Sequence, residues 1–215
     1  MKILYKIALL LSFLLLNLTA TETKVKITKD ISSIKVKHLG QTIEIKRIQD
    51  PYHELRDDYT KTSRPCPPFC IHPMKAAPGI KTIGEVEFMD YIKNYVNKGK
   101  GVIIDARLPN WYNVETIPSA INIPYTLVEG GDEMVFEDIF EALGAKKVGE
   151  KWDFSSAKTL ICFCNGVWCD QSPRFIKAML KAGYPASKML YYRDGFQGWK
   201  LLGLTTVIMK AKEVK

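Results

Sequence analysis

Two cysteines, Cys164 and Cys169, share the stretch Cys164-Asn165-Gly166-Val167-Trp168-Cys169-Asp170-Gln171-Ser172-Pro173-Arg174. A thiolate, not a thiol, is the nucleophile in cysteine chemistry, so the surroundings decide whether such residues react. Upstream, Thr159-Leu160-Ile161-Cys162-Phe163 reads as a short buried strand. Downstream, Phe175 to Gly183 reads as a helix, with Ser172 as its N-cap and Pro173 at its first position. Unpaired backbone N–H groups and the positive end of the helix dipole favour an anion at such a junction. Cys164 is therefore the candidate nucleophile, and Cys169 is a second one in the same loop. Cys162 lies inside the strand and reads as a small buried hydrophobe.

The elements that must position this loop follow an α/β pattern. A capping box, Thr82-Ile83-Gly84-Glu85, predicts a helix running to about Asn97, stopped by Gly99 and Gly101. Strands are expected at Val102–Ala106, Ala120–Ile123, Thr159–Phe163 and Lys188–Tyr192, and helices at Asp132–Leu143 and Phe196–Leu202. Strands alternating with helices imply a parallel sheet covered on both faces, with the chemistry at the C-terminal strand ends. Ahead of this region, alternation around Leu39-Gly40-Gln41 predicts a β-hairpin, with Ile34, Val36 and His38 on one side. Such a hairpin is too small to stand alone and must pack on the main domain.

The segment 49–81 is irregular and holds six of the eleven prolines. An ordered loop of this length needs anchoring. A Cys66–Cys70 disulfide is expected as a local clip. A redox-active pair is one alternative, and a copper site using the soft donors Cys66, Cys70, His72 and Met74 is another. The pattern is not the Cys-x-x-Cys-His of haem attachment.

The chain has 215 residues, 47% of them hydrophobic and 25% charged, the balance of a globular protein. Residues 1–20 combine Lys2 and Lys6 with an apolar run from Ile7 to Leu16 and a small residue at Ala20. This reads as a secretory signal, with an uncleaved N-terminal anchor as the alternative. Export places the chain in the periplasm or another oxidising compartment, where disulfides persist. Five cysteines then leave at least one thiol unpaired. Removing Lys2 and Lys6 lowers the formal charge from +8 to +6. The remaining lysines are scattered, with no basic block interleaved with aromatics, which argues against nucleic-acid binding.

Several motifs together resemble the rhodanese domain, the single-domain sulfurtransferase module. Val102-Ile103-Ile104-Asp105-Ala106-Arg107 is similar to its strand followed by Asp-x-Arg. Ile117-Pro118-Ser119-Ala120-Ile121-Asn122-Ile123-Pro124 is similar to its Ile-Pro-Gly-Ala-x-Asn-Ile-Pro motif, with Thr116 in place of a preceding His and Ser119 in place of Gly. Leu190-Tyr191-Tyr192-Arg193-Asp194-Gly195-Phe196-Gln197-Gly198-Trp199 resembles its C-terminal signature, with Asp194 in place of the first of two glycines. The resemblance divides the chain into a signal peptide (1–20), a hairpin and Pro/Cys-rich extension (21–81), a rhodanese-like domain (82–210) and a tail (211–215). The extension resembles that of an exported subgroup.

The resemblance implies a three-layer α/β fold with a central parallel sheet. It also implies a sulfurtransferase that forms a persulfide on Cys164 or, because the loop aligns in two ways, on Cys169. The loop N–H groups would cradle the outer sulfur, with Asn165, Gly166, Val167, Trp168, Asp170, Gln171, Ser172 and Arg174 as the loop and substrate-binding candidates and Asp105 and Arg107 as a supporting ion pair. A polysulfide, persulfide or thiosulfate would donate the sulfur and a thiol would accept it, with a periplasmic redox protein as a further partner. No cofactor and no metal are called for. The loop departs from the family in two ways. It is two residues longer from Cys164 to Ser172, and it carries Asp170 but no Arg or Lys, the first cation being Arg174. This disfavours the thiosulfate dianion and the Arg-dependent phosphate chemistry of related phosphatases. Two other functions stay open: a thiol–disulfide oxidoreductase using Cys164 and Cys169, and a non-catalytic module that binds a partner protein. Three histidines, none near Cys164 in sequence, give no support to a Cys-His or Ser-His-Asp hydrolase.

Overall fold

The computed structural model describes residues 24–209. The expected signal segment and the tail at 211–215 lie outside the described residues. In chain order the elements are β1 (Ser33–His38), β2 (Gln41–Lys46), β3 (Lys81–Ile83), α1 (Glu85–Asn94), β4 (Gly101–Asp105), α2 (Pro109–Tyr112), β5 (Glu115–Thr116), β6 (Ala120–Asn122), α3 (Tyr125–Glu129), α4 (Glu133–Ala142), β7 (Lys146–Val148), β8 (Lys151–Asp153), β9 (Thr159–Phe163), α5 (Gln171–Lys181), β10 (Met189–Tyr192), α6 (Gly195–Leu201) and β11 (Val207–Ile208).

The main sheet has five strands in the order β3-β10-β9-β4-β6, all parallel. The expected parallel sheet is thus present, with one more strand than the apolar runs predict. The extra strand is β3, Lys81-Thr82-Ile83, whose last two residues the capping-box reading places at the start of a helix. The helix instead begins after Gly84, whose N–H is accepted by Glu87 Oε2 at 3.1 Å. Glu85, the acid of the expected box, accepts the Tyr192 hydroxyl at 2.8 Å. Three residues are enough for an edge strand when the neighbouring strand supplies the ladder, and too few to leave a periodic signal.

Alternation along β9 divides the core. Ile161 and Phe163 face one side with Phe88, Met89, Phe196 and Trp199. Leu160 and Cys162 face the other with Phe140, Phe175, Ile176 and Met179. Fully burying one such side chain contributes about 1.5–3 kcal/mol. The N-terminal hairpin packs on the first side, burying Ile34, Val36 and Ile45. Its turn places Leu39 and Gly40 at φ 46° and 82°, the left-handed pair of a tight hairpin turn. His38 also turns inward, and its Nδ1 accepts the N–H of Ser119 at 3.0 Å.

Candidate active site

Strand β9 lies in the middle of the sheet, so the residue that follows it emerges at the centre of the C-terminal strand edge. That residue is Cys164. The carbonyls of Cys164 and Asn165 accept the N–H groups of Phe196 and Gln197, each at 2.8 Å, so the first turn of α6 grips the loop backbone. This approach requires glycine at 195, where φ is 59° and a Cβ would fall 2.5 Å from the Cys164 carbonyl oxygen. Asp194 has φ −68°, open to any residue, so losing the first glycine of the motif costs the loop nothing.

Helix α5 begins at Gln171, with Asp170 at the N-cap position. This corrects the expectation that Ser172 caps the helix. Ser172 lies within the first turn, fully buried, and its hydroxyl donates to Cys164 Sγ at 3.1 Å. The hydroxyl serves the cysteine instead of the helix end.

Cys164 and Cys169 are both buried, 2% and 5% exposed. A turn from the Cys169 N–H to the Gly166 carbonyl, 3.0 Å, folds the loop back on itself. As a thiol, Cys164 donates to the Cys169 carbonyl at 3.2 Å. As a thiolate it accepts from the Ser172 hydroxyl at 3.1 Å, and the Cys169 thiol and the backbone N–H groups of Ser172 and Gly166 also favour its charged form. Burial alone raises a thiol, but these donors outweigh it and hold Cys164 below the ordinary thiol value. Cys169 moves the other way: burial, its hydrogen bond to Cys164 and the Cys164 charge keep it protonated well above that value. Cys162, enclosed in β9, is pushed up by burial alone.

A buried polar chain supports this loop. Asp105 and Arg107 are both buried and pair through Nη2–Oδ2 at 2.6 Å and Nε–Oδ1 at 2.9 Å. Thr116, at the position where the resemblance expects histidine, closes the carboxylate with a 2.8 Å hydrogen bond to Oδ2. Arg107 Nη1 donates to the Tyr59 hydroxyl at 2.9 Å, and that hydroxyl donates to Asn165 Oδ1 at 2.9 Å. Asn165 Nδ2 in turn faces Cys169 Sγ at 3.9 Å. The ion pair thus reaches the cysteine loop through Tyr59, a residue of the extension.

The extension also covers the loop. The His72 N–H donates to the Val167 carbonyl at 2.9 Å. Phe69 sets its ring edge-on to Trp168 with centroids 5.5 Å apart, and the Arg64 guanidinium sits 4.0 Å from the Trp168 ring centre. Trp168 is buried, and its indole N–H donates to Gln197 Oε1 at 2.7 Å. Gln197 Nε2 donates back to the Tyr59 carbonyl at 2.6 Å. Cys66 and Cys70, in the same cover, stand as a close pair with Cα atoms 4.6 Å apart. Among the described residues no group of three or more His, Cys, Asp or Glu side chains is placed to hold a metal ion.

The expected loop residues do not all converge. Arg174 turns away from the cysteines to pair with Glu129, and its guanidinium lies 4.4 Å from the Tyr125 ring centre. Asp170 lies 3.7 Å from Arg174 and makes no capping hydrogen bond. Gln171 contributes its backbone N–H to the Cys169 side. Tyr59, Arg64, Phe69 and His72 were not singled out for the loop by sequence, because they lie in a proline-rich segment without periodicity. Gln197 stood inside a recognised motif but carried no signal of its role.

The rhodanese-like domain family matches residues 88–202, more than half of the chain. The chain belongs to the rhodanese-like domain family. A comparison with curated proteins finds no match. Among solved structures, a thiosulfate sulfurtransferase from Pseudomonas aeruginosa is 21% identical with a TM-score of 0.44, covering 61% of this chain and 21% of its own. This chain therefore spans about a fifth of that protein. A human single-domain sulfurtransferase is 19% identical with a TM-score of 0.39, covering 56% of this chain and 95% of its own. A rhodanese with anions from E. coli is 24% identical with a TM-score of 0.34, covering 50% of this chain and 98% of its own.

Proposed function

We propose that this chain is a sulfurtransferase that carries sulfane sulfur on Cys164 outside the cytoplasm. The observation that carries the reading is the Cys164 thiol, set at the end of the central strand and held below the ordinary thiol value by the donors around it. Membership of the rhodanese-like family supports it. In the first step the Cys164 thiolate attacks the outer sulfur of a persulfide or polysulfide. A new S–S bond forms at Cys164, the donor S–S bond breaks, and the donor leaves as a thiolate. Splitting the transfer through a covalent intermediate is nucleophilic catalysis, and the N–H groups of Gly166 and Ser172 stabilise charge on the sulfur. An acceptor thiol then takes the outer sulfur.

The donor class follows from charge. With Arg174 engaged by Glu129, no Arg or Lys of the loop faces Cys164, so a thiol-borne sulfur suits the site better than a dianion. Export rests on the signal-like residues 1–20, and a Cys66–Cys70 disulfide in the cover, compatible with the 4.6 Å Cα separation, fits an oxidising compartment. The test is sulfur transfer to a small acceptor thiol from matched donors. The proposal expects a higher kcat/KM with an organic persulfide than with thiosulfate, and no transfer by Cys164→Ser. Transfer by Cys164→Ser at the wild-type rate would overturn it.

A further inference from the structure

The loop places a second thiol against the first, under a cover that limits access from outside. The Cys169 carbonyl lies 3.2 Å from Cys164 Sγ, and neither cysteine is tied up in a disulfide. Asn165 Nδ2 faces Cys169 Sγ at 3.9 Å and is itself fixed by the Tyr59 hydroxyl at 2.9 Å, so the second thiol is held in place by a chain of buried partners. Phe69, Arg64 and His72 pack over Val167 and Trp168. A thiol on another protein must move that cover aside to reach Cys164, whereas Cys169 belongs to the same folded loop and its carbonyl already touches Cys164 Sγ. Proximity of this kind turns a bimolecular step into an intramolecular one.

We propose that Cys169 is the resolving thiol: it attacks Sγ of the Cys164 persulfide, closes a Cys164–Cys169 disulfide and releases the outer sulfur as hydrogen sulfide. The inference rests on Cys164 carrying sulfur. The Cys169 Sγ–Cys164 Sγ bond forms, and the bond from Cys164 Sγ to the outer sulfur breaks. The outer sulfur leaves with the electron pair and takes up the proton lost by Cys169. One sulfane sulfur is reduced to sulfide while two thiol-level sulfurs are oxidised to a disulfide, so no outside oxidant enters. A dithiol reductant completes the cycle by thiol–disulfide exchange, becoming a disulfide itself and returning both cysteines to thiols. The protein then acts as a persulfide reductase as well as a carrier.

The electrostatics favour this order of events. Charge on Cys164 is one of the causes that keep Cys169 protonated. Once Cys164 bears the outer sulfur, its Sγ is no longer the charged atom. The backbone N–H groups of Asn165 and Gln171, which favour ionised Cys169, then meet less opposition.

The experiment treats the reduced full chain with a small organic persulfide, whose transfer of the outer sulfur to Cys164 releases a thiol and no sulfide; sulfide released by the Cys164→Ser chain is subtracted as background. Wild type is expected to release one sulfide per chain, with peptide mapping that links Cys164 to Cys169. Cys169→Ser is expected to keep one added sulfur on Cys164 and to release sulfide at least tenfold more slowly. Cys169→Ala, checked for folding by circular dichroism, repeats the measurement without a hydroxyl. If wild type and both variants hold the added sulfur equally and no link forms, the resolving role is overturned while sulfur carriage stands. If neither variant nor wild type takes up sulfur, both readings fall.

Discussion

Removing the Ser172 hydroxyl isolates one of the donors that set Cys164 apart from an ordinary buried cysteine. That hydroxyl lies 3.1 Å from Cys164 Sγ and is fully buried. A hydrogen bond to a charged group is worth about 1.5–3 kcal/mol, and one pKa unit corresponds to about 1.4 kcal/mol. Ser172→Ala should therefore raise the first thiolate titration of the loop by about 1–2 units. The sign follows from the direction of the shift: donors to the thiolate lower its pKa, so losing one raises it. At a pH below the wild-type midpoint the thiolate fraction should fall roughly 10–100-fold, and the alkylation rate of Cys164 with it. The assay is thiolate absorbance in the ultraviolet against pH, with peptide-resolved alkylation assigning the signal. Cys162 and Cys169 are both pushed up and titrate later, so the first step reports the pair through Cys164. An unchanged first titration in folded Ser172→Ala would refute the reasoning.

Three further outcomes are expected. Arg107→Ala leaves the Asp105 carboxylate buried without its charged partner and takes away the donor to the Tyr59 hydroxyl, so it should cost about 3–5 kcal/mol in urea denaturation; a loss below 1 kcal/mol would contradict the brace. Ser119 holds φ 70°, a left-handed backbone that costs a side chain about 1–2 kcal/mol, so after the entropy penalty of glycine Ser119→Gly should stabilise by up to about 1 kcal/mol, read as a raised Tm. Phe69→Ala removes an edge-to-face contact worth about 0.5–1.5 kcal/mol beyond its buried area. Opening of the cover should then become several-fold to tenfold more frequent, and Cys164 alkylation at fixed pH should rise in proportion.

What the sequence made legible was local. Thr159–Phe163 reads as a strand because four apolar residues follow Thr159 without a break, and the structure puts all five residues in β9. The hairpin reads from the alternation of Ile34, Val36 and His38, all of which turn inward. β3 was hidden because its ladder is supplied by β10, a long-range partner that no local pattern reveals. Ser172 read as a cap because capping is the commonest use of serine before a helix. Its actual partner, Cys164, is eight residues back and meets it only when the loop folds over. Tyr59 was the hardest to see. It lies 48 residues from Arg107 and 106 from Asn165, and only tertiary packing brings its hydroxyl between them.

The account turns on whether sulfur becomes attached to Cys164. The most direct measurement is the mass of the peptide carrying Cys164, taken from the Cys169→Ser chain after one equivalent of a small organic persulfide and no acceptor. The account predicts the addition of one sulfur atom to that peptide, removed by a thiol reductant and missing when Cys164 is also replaced by Ser. A Cys164 peptide of unchanged mass in a folded, fully reduced chain would contradict it.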